Sequence, residues 1–279
     1  MKYLIAGGDE RAVFAAAALA EAGNSVSALA MDRAQLPPGV KKTSCVENFD
    51  CVIFPLPAEG KSGALNAPFS DTASDAAGLL EAMPENTLVC GGKISRRLYR
   101  AGELKGLRIT DIMQRPEFVV GNAAITAEAA AAILMQRTDF ALFGSSAMVV
   151  GYGRIGKILA QRLSALGMRV FVMSRNAESR AMAQAAGCVP LAPIDALPPL
   201  EAVINTAPAP VMRDLSRLKK PCLLLELASA PGGIDASEAQ RLGHRYFAAP
   251  GLPGKYAPRT AGQLIAETVQ QIVKENVHE

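Results

Sequence analysis

The chain has 279 residues, half of them apolar, and 29 basic against 26 acidic side chains leave a formal net charge of +3. That length supports one large or two ordinary domains with a sizeable core. The near-balanced charge, with no long Lys/Arg block, argues against a nucleic-acid partner, and the five scattered cysteines, an odd set with no CxxC, suggest neither a disulfide framework nor a zinc site.

The opening "MKYLIAGGDER" reaches acidic residues too early for a signal peptide. No stretch reads as a membrane span, so the expectation is a cytoplasmic protein with reduced, buried thiols. From "YLIAG" onward, short apolar runs alternate with Ala-rich helical segments. "SVSALA", "CVIFPL" and "TLVCGG" follow in the first half; "AMVVG", "RVFVMS", "AVINTA", "CLLLELA" and "RYFAAPG" make up the second. This alternation predicts an α/β protein with two doubly wound parallel-sheet domains. Between the two series, Ala124 to Phe143 contains no Gly or Pro and spaces Ile125, Ile133, Leu134 and Phe140 as a helix would. It predicts a long helix joining the domains. Near the end, "RTAGQLIAETVQQIVKE" gathers Leu264, Ile265, Val269, Ile272 and Val273 on one helical face, and we expect that helix to cross back to the first domain. The expected division is residues 1–123, then 124–253 with the linker helix and a Rossmann unit, then 254–279 returning.

Each first-half strand is followed by a turn that could carry chemistry. Gly7-Gly8-Asp9-Glu10-Arg11 opens a helix but lacks a third glycine and places acids where a pyrophosphate would lie. It suits a small anion held by Arg11 and helix-start amides, or else an ordinary fold element with Asp9 as helix cap and Arg11 in solvent. "PLPAEGKSG" offers Glu59 and Lys61, and "CGGKISRR" offers Lys93 and Arg96. Lys93 follows a buried strand, so it is expected at the rim of an interdomain crevice, as a ligand contact or as a surface lysine.

The second series begins with the more informative turn. Val149 and Val150 end a strand, and Gly151, Gly153 and Gly156 have GxGxxG spacing before a helix from Lys157 to Leu166. These glycines permit a tight turn, close approach of a pyrophosphate and close helix–strand packing. Amides of the turn, including Arg154 and Ile155, would face the phosphates. A dinucleotide is expected here, with the alternative that the turn only joins strand to helix. The next strand ends in Ser174 and Arg175 where NAD enzymes carry an acid for the ribose hydroxyls. A guanidinium and a hydroxyl there favour NADP over NAD, unless Arg175 is a solvated charge. Thr206, Ala207 and Pro208 should flank the dinucleotide, with Ser229 to Gly232 and Gly251 nearer the nicotinamide. Pro and Gly also end strands for structural reasons alone.

His244 and His278 are the two histidines, and neither occupies a catalytic loop in this reading. The His-dependent chemistry of 2-hydroxyacid dehydrogenases is therefore disfavoured. No HExxH, other metal pattern or GxSxG elbow is present, so no metal is expected.

"ITAEAAAAIL", "VVGYGRIGKILAQRLSALGMRVFVMSR", "VINTAPAPV", "LLLELASAPGGID", "APGLPGKYAPRTAGQLI" and the N-terminal "GGDER" resemble, in order and across nearly the whole chain, the family of dipicolinate synthase A subunits from spore-forming bacteria. Ala129 stands where glycine is expected in that family. The resemblance implies oxidation of dihydrodipicolinate to dipicolinate with NADP as hydride acceptor, in the mother cell of a sporulating bacterium. It also implies a flavoprotein-like partner, the B subunit of dipicolinate synthase, and a self-assembled oligomer stays open. Cations near predicted strand ends or helix starts, Arg11, Lys93, Lys255 and Arg259, would hold the two carboxylates. Lys93, Glu128 and Glu226 are the candidates to take the ring proton; salt bridges and, for Glu128, a helix-cap role are the competing readings. Two rivals remain: an NADP-dependent dehydrogenase of another small carboxylate, and an NADP-sensing subunit without chemistry.

Overall fold

The computed structural model describes residues 1–212, 214–218, 221–229 and 231–277. His278 lies outside the described residues. The chain forms two compact units, Met1–Asn122 with Ala257–Glu279, and Ala123–Tyr256.

In the first unit, β1 (Lys2–Ala6), α1 (Glu10–Glu21), β2 (Ser25–Leu29), β3 (Lys41–Lys42), β4 (Cys51–Ile53), α2 (Ala76–Glu81), β5 (Leu88–Gly91), α3 (Arg96–Leu104) and β6 (Arg108–Asp111) follow in sequence, and α4 (Pro116–Arg137) leaves the unit. The sheet order is β3-β2-β1-β4-β5-β6, with every pairing parallel. The second unit contains β7 (Ser146–Val150), α5 (Arg154–Ala165), β8 (Arg169–Met173), α6 (Ala177–Ala185), β9 (Val189–Leu191), β10 (Ala202–Asn205), β11 (Leu223–Glu226), α7 (Ala236–Arg241), β12 (Arg245–Ala248) and α8 (Leu252–Tyr256). Its order, β12-β11-β10-β7-β8-β9, is again wholly parallel. Each unit thus repeats the doubly wound 3-2-1-4-5-6 arrangement, and each has a switch point beside its first strand, between β1 and β4 or between β7 and β10.

Central strands such as β1, β4, β5, β7 and β10 are buried on both faces, as parallel strands must be when helices cover both sides. β3, β6 and β9 have no counterpart among the expected strands, being two to four residues long: "KK" and "RITD" lack an apolar run, and "VPL" is interrupted by a proline. The linker helix begins at Pro116, eight positions before Ala124, and ends at Arg137, so Phe140 and Phe143 lie beyond it. Pro116 suits the first helical position, where no amide partner is needed, and Thr138 Oγ1 closes the other end on Leu134 O at 2.7 Å. α4 also corrects the expectation that no stretch approaches a membrane span. By length and composition it would reach across one, and more than half of its apolar window is buried within the protein.

The last helix, α9 (Pro258–Val277), packs on α1. Gly262 makes the contact possible: a Cβ there would lie 2.5 Å from Arg11 O and 2.6 Å from Phe14 Cβ. Ile265, Val269, Ile272 and Val273 are buried in the same core as Ala15, Ala16 and Leu19, each worth about 1.5–3 kcal/mol when fully sequestered. Arg115 pins the far end of the helix through paired bonds of 2.7 and 2.8 Å to Glu275.

Four thiols, Cys51, Cys90, Cys188 and Cys222, are buried and free, whereas Cys45 is exposed. Cys51 and Cys90 approach to 3.9 Å across neighbouring strands. Their hydrogen bond and burial push the Cys51 thiol well above its ordinary value, which keeps it inert.

Candidate functional site

The second unit builds its switch point from the turn after β7 and the loop after β10. Gly151 has φ +90°, a conformation glycine adopts readily, and sends its carbonyl toward α5. A Cβ on Gly156 would lie 2.3 Å from Gly151 O, so only glycine lets helix and strand close to this distance. Thr206 Oγ1 donates to Val150 O at 3.0 Å and completes the brace across the switch point. Gly153, by contrast, would meet nothing within 4 Å, and no side chain caps it although it is the cap residue of α5. Open space in front of uncapped helix-start amides, at Arg154 and Ile155, is what a pyrophosphate requires. The donor set therefore fits a dinucleotide. Tyr152, between the glycines, is packed into the unit's core, and burial raises its hydroxyl above the ordinary value.

At the end of β8 the residues are Ser174, which is buried, and the exposed Arg175 and Asn176. Asn176 caps α6, and its backbone amide donates to Ser174 Oγ at 3.2 Å. Arg180 reaches back from the first turn of α6, its Nη1 donating to Ser174 O at 2.8 Å and to Arg175 O at 2.9 Å.

On the other side of the switch point, a buried pair organises the loops. Asn205, 1% exposed, takes an amide hydrogen bond from Ala207 and returns one to Ala207 O. Its Nδ2 also donates to Glu226 Oε1 at 2.8 Å. Glu226, 5% exposed, accepts from Ala228 N at 2.9 Å through the same oxygen, and from Gly233 N at 2.8 Å and Ile234 N at 3.0 Å through the other. Both carboxylate oxygens are thus engaged twice, and the group ties the Thr206–Pro208 loop to the Ala228–Ile234 loop. Burial, and then this carboxylate, raise the hydroxyl of Tyr246 on β12 above its ordinary value. Asn205 was not singled out by sequence reasoning, since nothing in "NTAPAPV" announces a partner 21 positions away. Ser229 and Gly251 are exposed on neighbouring loops of this unit, and Gly251 has φ +69°.

Glu128, on α4, pairs with Arg162 at 2.9 Å, and Arg162 also binds Ala124 O. With its side chain 66% exposed, Glu128 has the geometry of a surface salt bridge holding α4 to α5. Lys255 is exposed in the short α8. His244 is buried ahead of β12, at the opposite end of the sheet from the glycine turn. Its Nε2 lies 3.3 Å from Leu215 O, and Nδ1 has no partner. Among the described residues, no group of three His, Cys, Asp or Glu could hold a metal ion.

The first unit's switch point lies between Gly7-Gly8 and Pro55-Leu56. Asp9 caps α1, accepting from Arg11 N at 3.1 Å. The Arg11 side chain is 12% exposed rather than in solvent; it pairs with Asp9 at 2.9 Å and donates to Leu56 O at 2.5 Å. It lines a cavity of about 20 Å³ with Gly7, Gly8, Pro55 and Leu56, room for about one water. Lys93 is exposed just past β5, its backbone in the left-handed region at φ +52°. Such a conformation is uncommon outside glycine and persists when its surroundings impose it. Asp111, at the end of β6, does so by accepting from Lys93 N at 3.2 Å, Ile94 N at 2.9 Å and Met113 N at 2.8 Å. Glu59 is taken up by Arg97 at 2.7 Å, and Lys61 and Arg96 are exposed. Arg259 lies apart from Arg11, in a groove between α1 and α9 with Phe14, Ala17, Ala18 and Glu21.

Comparison with known proteins agrees with this layout. Residues 2–113 match the family model for the N-terminal domain of the dipicolinate synthase A subunit, and residues 101–211 match "D-isomer specific 2-hydroxyacid dehydrogenase, NAD binding domain". The chain is 28% identical over 235 residues to the A subunit of dipicolinate synthase from Bacillus subtilis, covering 82% of this chain and 79% of that protein. The crystal structure of the Bacillus subtilis A chain superposes with TM-score 0.88 at 27% identity, covering 100% of this chain and 98% of the other. The corresponding protein of Bacillus halodurans gives the same TM-score and identity over 98% and 97%. The second unit accordingly carries a dehydrogenase-type nicotinamide-nucleotide-binding domain, the mark of an oxidoreductase. The first unit matches the N-terminal domain of these proteins and the likeness runs through both units, so the chain is similar along its length to dipicolinate synthase A subunits.

Proposed function

We propose that the chain oxidises dihydrodipicolinate to dipicolinate with NADP, as the A subunit of a cytoplasmic enzyme whose second subunit is flavoprotein-like, in a sporulating bacterium. The observation that carries the reading is the likeness to dipicolinate synthase A chains through both units, rather than through the nucleotide-binding unit alone. When bound, the nucleotide supplies the hydride acceptor. Gly151, Gly153, Arg154, Ile155 and Gly156 would cradle its diphosphate, Ser174 and Arg175 its 2′-phosphate, and Thr206, Ala207 and Pro208 its central portion. NAD is the alternative cofactor. The Asn205–Glu226 pair supports a fixed nicotinamide end, because every acceptor of the carboxylate is already committed to backbone or amide donors.

The substrate loses a hydride and a proton to become aromatic, so ring stabilisation supplies driving force and no histidine base is needed. Arg11 is the carboxylate contact best supported by position, at a switch point and on the first turn of α1. Its pairing with Asp9 must open for a dicarboxylate to enter, since the present cavity is too small. Lys93 is the candidate proton acceptor: Glu226 and Glu128 are bound to other groups, whereas Lys93 is exposed past a strand end on a fixed, left-handed backbone.

The test supplies freshly generated dihydrodipicolinate and NADP to the purified chain, alone and with a flavoprotein-like second subunit. The absorbance of reduced nucleotide and of the pyridine product is followed, and product mass identifies the acid. Turnover in either mixture supports the reading. No turnover in both overturns it in favour of a nucleotide-sensing role, and a different product mass reassigns the substrate.

A further inference from the structure

The segment after β8 has an unusual distribution of hydrogen-bond capacity. Five of its oxygens already accept bonds from within the unit: Ser174 Oγ from Asn176 N, Asn176 Oδ1 from Ser179 N, Ser174 O and Arg175 O from Arg180 Nη1, and Asn176 O from Arg180 N. Three of the five bonds come from one residue. Recognition of an unphosphorylated ribose at this place depends on an acceptor for its hydroxyls, usually a carboxylate. Here no carboxylate follows the strand directly, and the carbonyls that could substitute are engaged. What is left is a set of donors, namely the Arg175 guanidinium, the Ser174 hydroxyl, the Asn176 side-chain amide and the remaining N–H groups of Arg180, and a phosphate accepts from such donors.

We propose that Arg180 is a specificity-determining residue of the nucleotide site: by holding the Ser174 and Arg175 carbonyls it takes up acceptor capacity and leaves the loop richer in donors, selecting a nucleotide phosphorylated at the ribose 2′ position. The inference rests on the NADP reading above and deepens it, since it locates discrimination in a residue on α6 rather than in the exposed Arg175 alone. Arg180 acts in two ways. It competes with the ribose for two acceptors, and it places a second positive charge beside Arg175.

The experiment measures binding of NADP and of NAD to the full chain by calorimetry, for the wild type, Arg180→Met and Arg180→Lys, with a thermal unfolding midpoint for each. The wild type is expected to favour NADP. Arg180→Met should weaken NADP about tenfold or more, the scale of one lost charge-assisted contact, while NAD binding holds or tightens as the carbonyls are released. Arg180→Lys keeps the charge without the guanidinium's spread of donors and should fall between. Should Arg180→Met not fold, the Lys variant carries the same comparison. Equal loss of both nucleotides would make Arg180 a mere brace and overturn the proposal, as would an unchanged NADP to NAD ratio. A wild type that binds neither nucleotide refutes the cofactor reading itself, and one that prefers NAD refutes the NADP reading. Either result is visible before any variant is made.

Discussion

Replacing Glu226 with Gln isolates what the buried carboxylate does. The substitution keeps shape and volume but converts one of two acceptor oxygens into an NH2 group. Whichever way the amide turns, two N–H donors then face a donor: Gly233 and Ile234 in one orientation, Asn205 and Ala228 in the other. Hydrogen bonds to a charged acceptor contribute about 1.5–3 kcal/mol each, so the loss is about 3–6 kcal/mol, against a typical total stability of about 5–15 kcal/mol. The group is 5% exposed, so water does little to make good the loss. Urea unfolding followed by circular dichroism, with and without saturating nucleotide, should show the nucleotide-protected transition moving to markedly lower denaturant. Nucleotide affinity should weaken alongside, because the loops at Ala207 and Ala228 lose their common anchor. An unfolding midpoint unchanged in Glu226→Gln, together with abolished turnover, would refute this reasoning and return Glu226 to the role of proton acceptor.

Gly156→Ala should cost about 1–3 kcal/mol through overpacking and sharply weaken nucleotide binding, because the new methyl would sit 2.3 Å from Gly151 O; fluorescence titration with reduced nucleotide reads it. Lys93→Met should lower turnover strongly while leaving NADP affinity nearly intact, and unchanged turnover removes Lys93 from the reaction. The Arg115 guanidinium holds the Glu275 carboxyl below its usual range; at Glu117 a backbone hydrogen bond and then Arg115 do the same. Their folded values lie below the unfolded ones, so this stabilisation is present above the ordinary glutamate range and is lost as pH falls through the folded values. Arg115→Met should therefore flatten the acid side of the thermal midpoint against pH, with the difference between variants shrinking in high salt.

The parts of the fold legible in the sequence are those specified by near neighbours. Gly151, Gly153 and Gly156 sit within one turn, and the strand before them and helix after them follow from a few consecutive residues, so the glycine turn could be read directly. Edge strands β3, β6 and β9 could not: "KK", "RITD" and "VPL" acquire strand geometry from the partner beside them, and nothing in their own composition requires it. The site divides in the same way. Ser174 and Arg175 were visible because their place after a strand gives them meaning. The hold of Arg11 on Leu56 O, 45 positions on, and of Glu226 on Asn205 exist only once the strands are side by side. Lys93 shows the intermediate case, since its position past a strand was legible but its left-handed backbone, imposed by Asp111, was not.

The connection of α9 to α1 makes the first unit discontinuous along the chain, with the whole of the second unit inserted between its two parts. A ribosome therefore releases every strand of the nucleotide-binding unit before it releases the helix that covers α1. The inserted unit has all its own residues and can reach its folded state while the host still shows the Phe14 and Ala15 face of α1 to water. Completion of the host waits for Ile265 to Val273, so translation itself sets the order in which the two halves mature, and a chain released a few turns early would keep the nucleotide module and lose its companion.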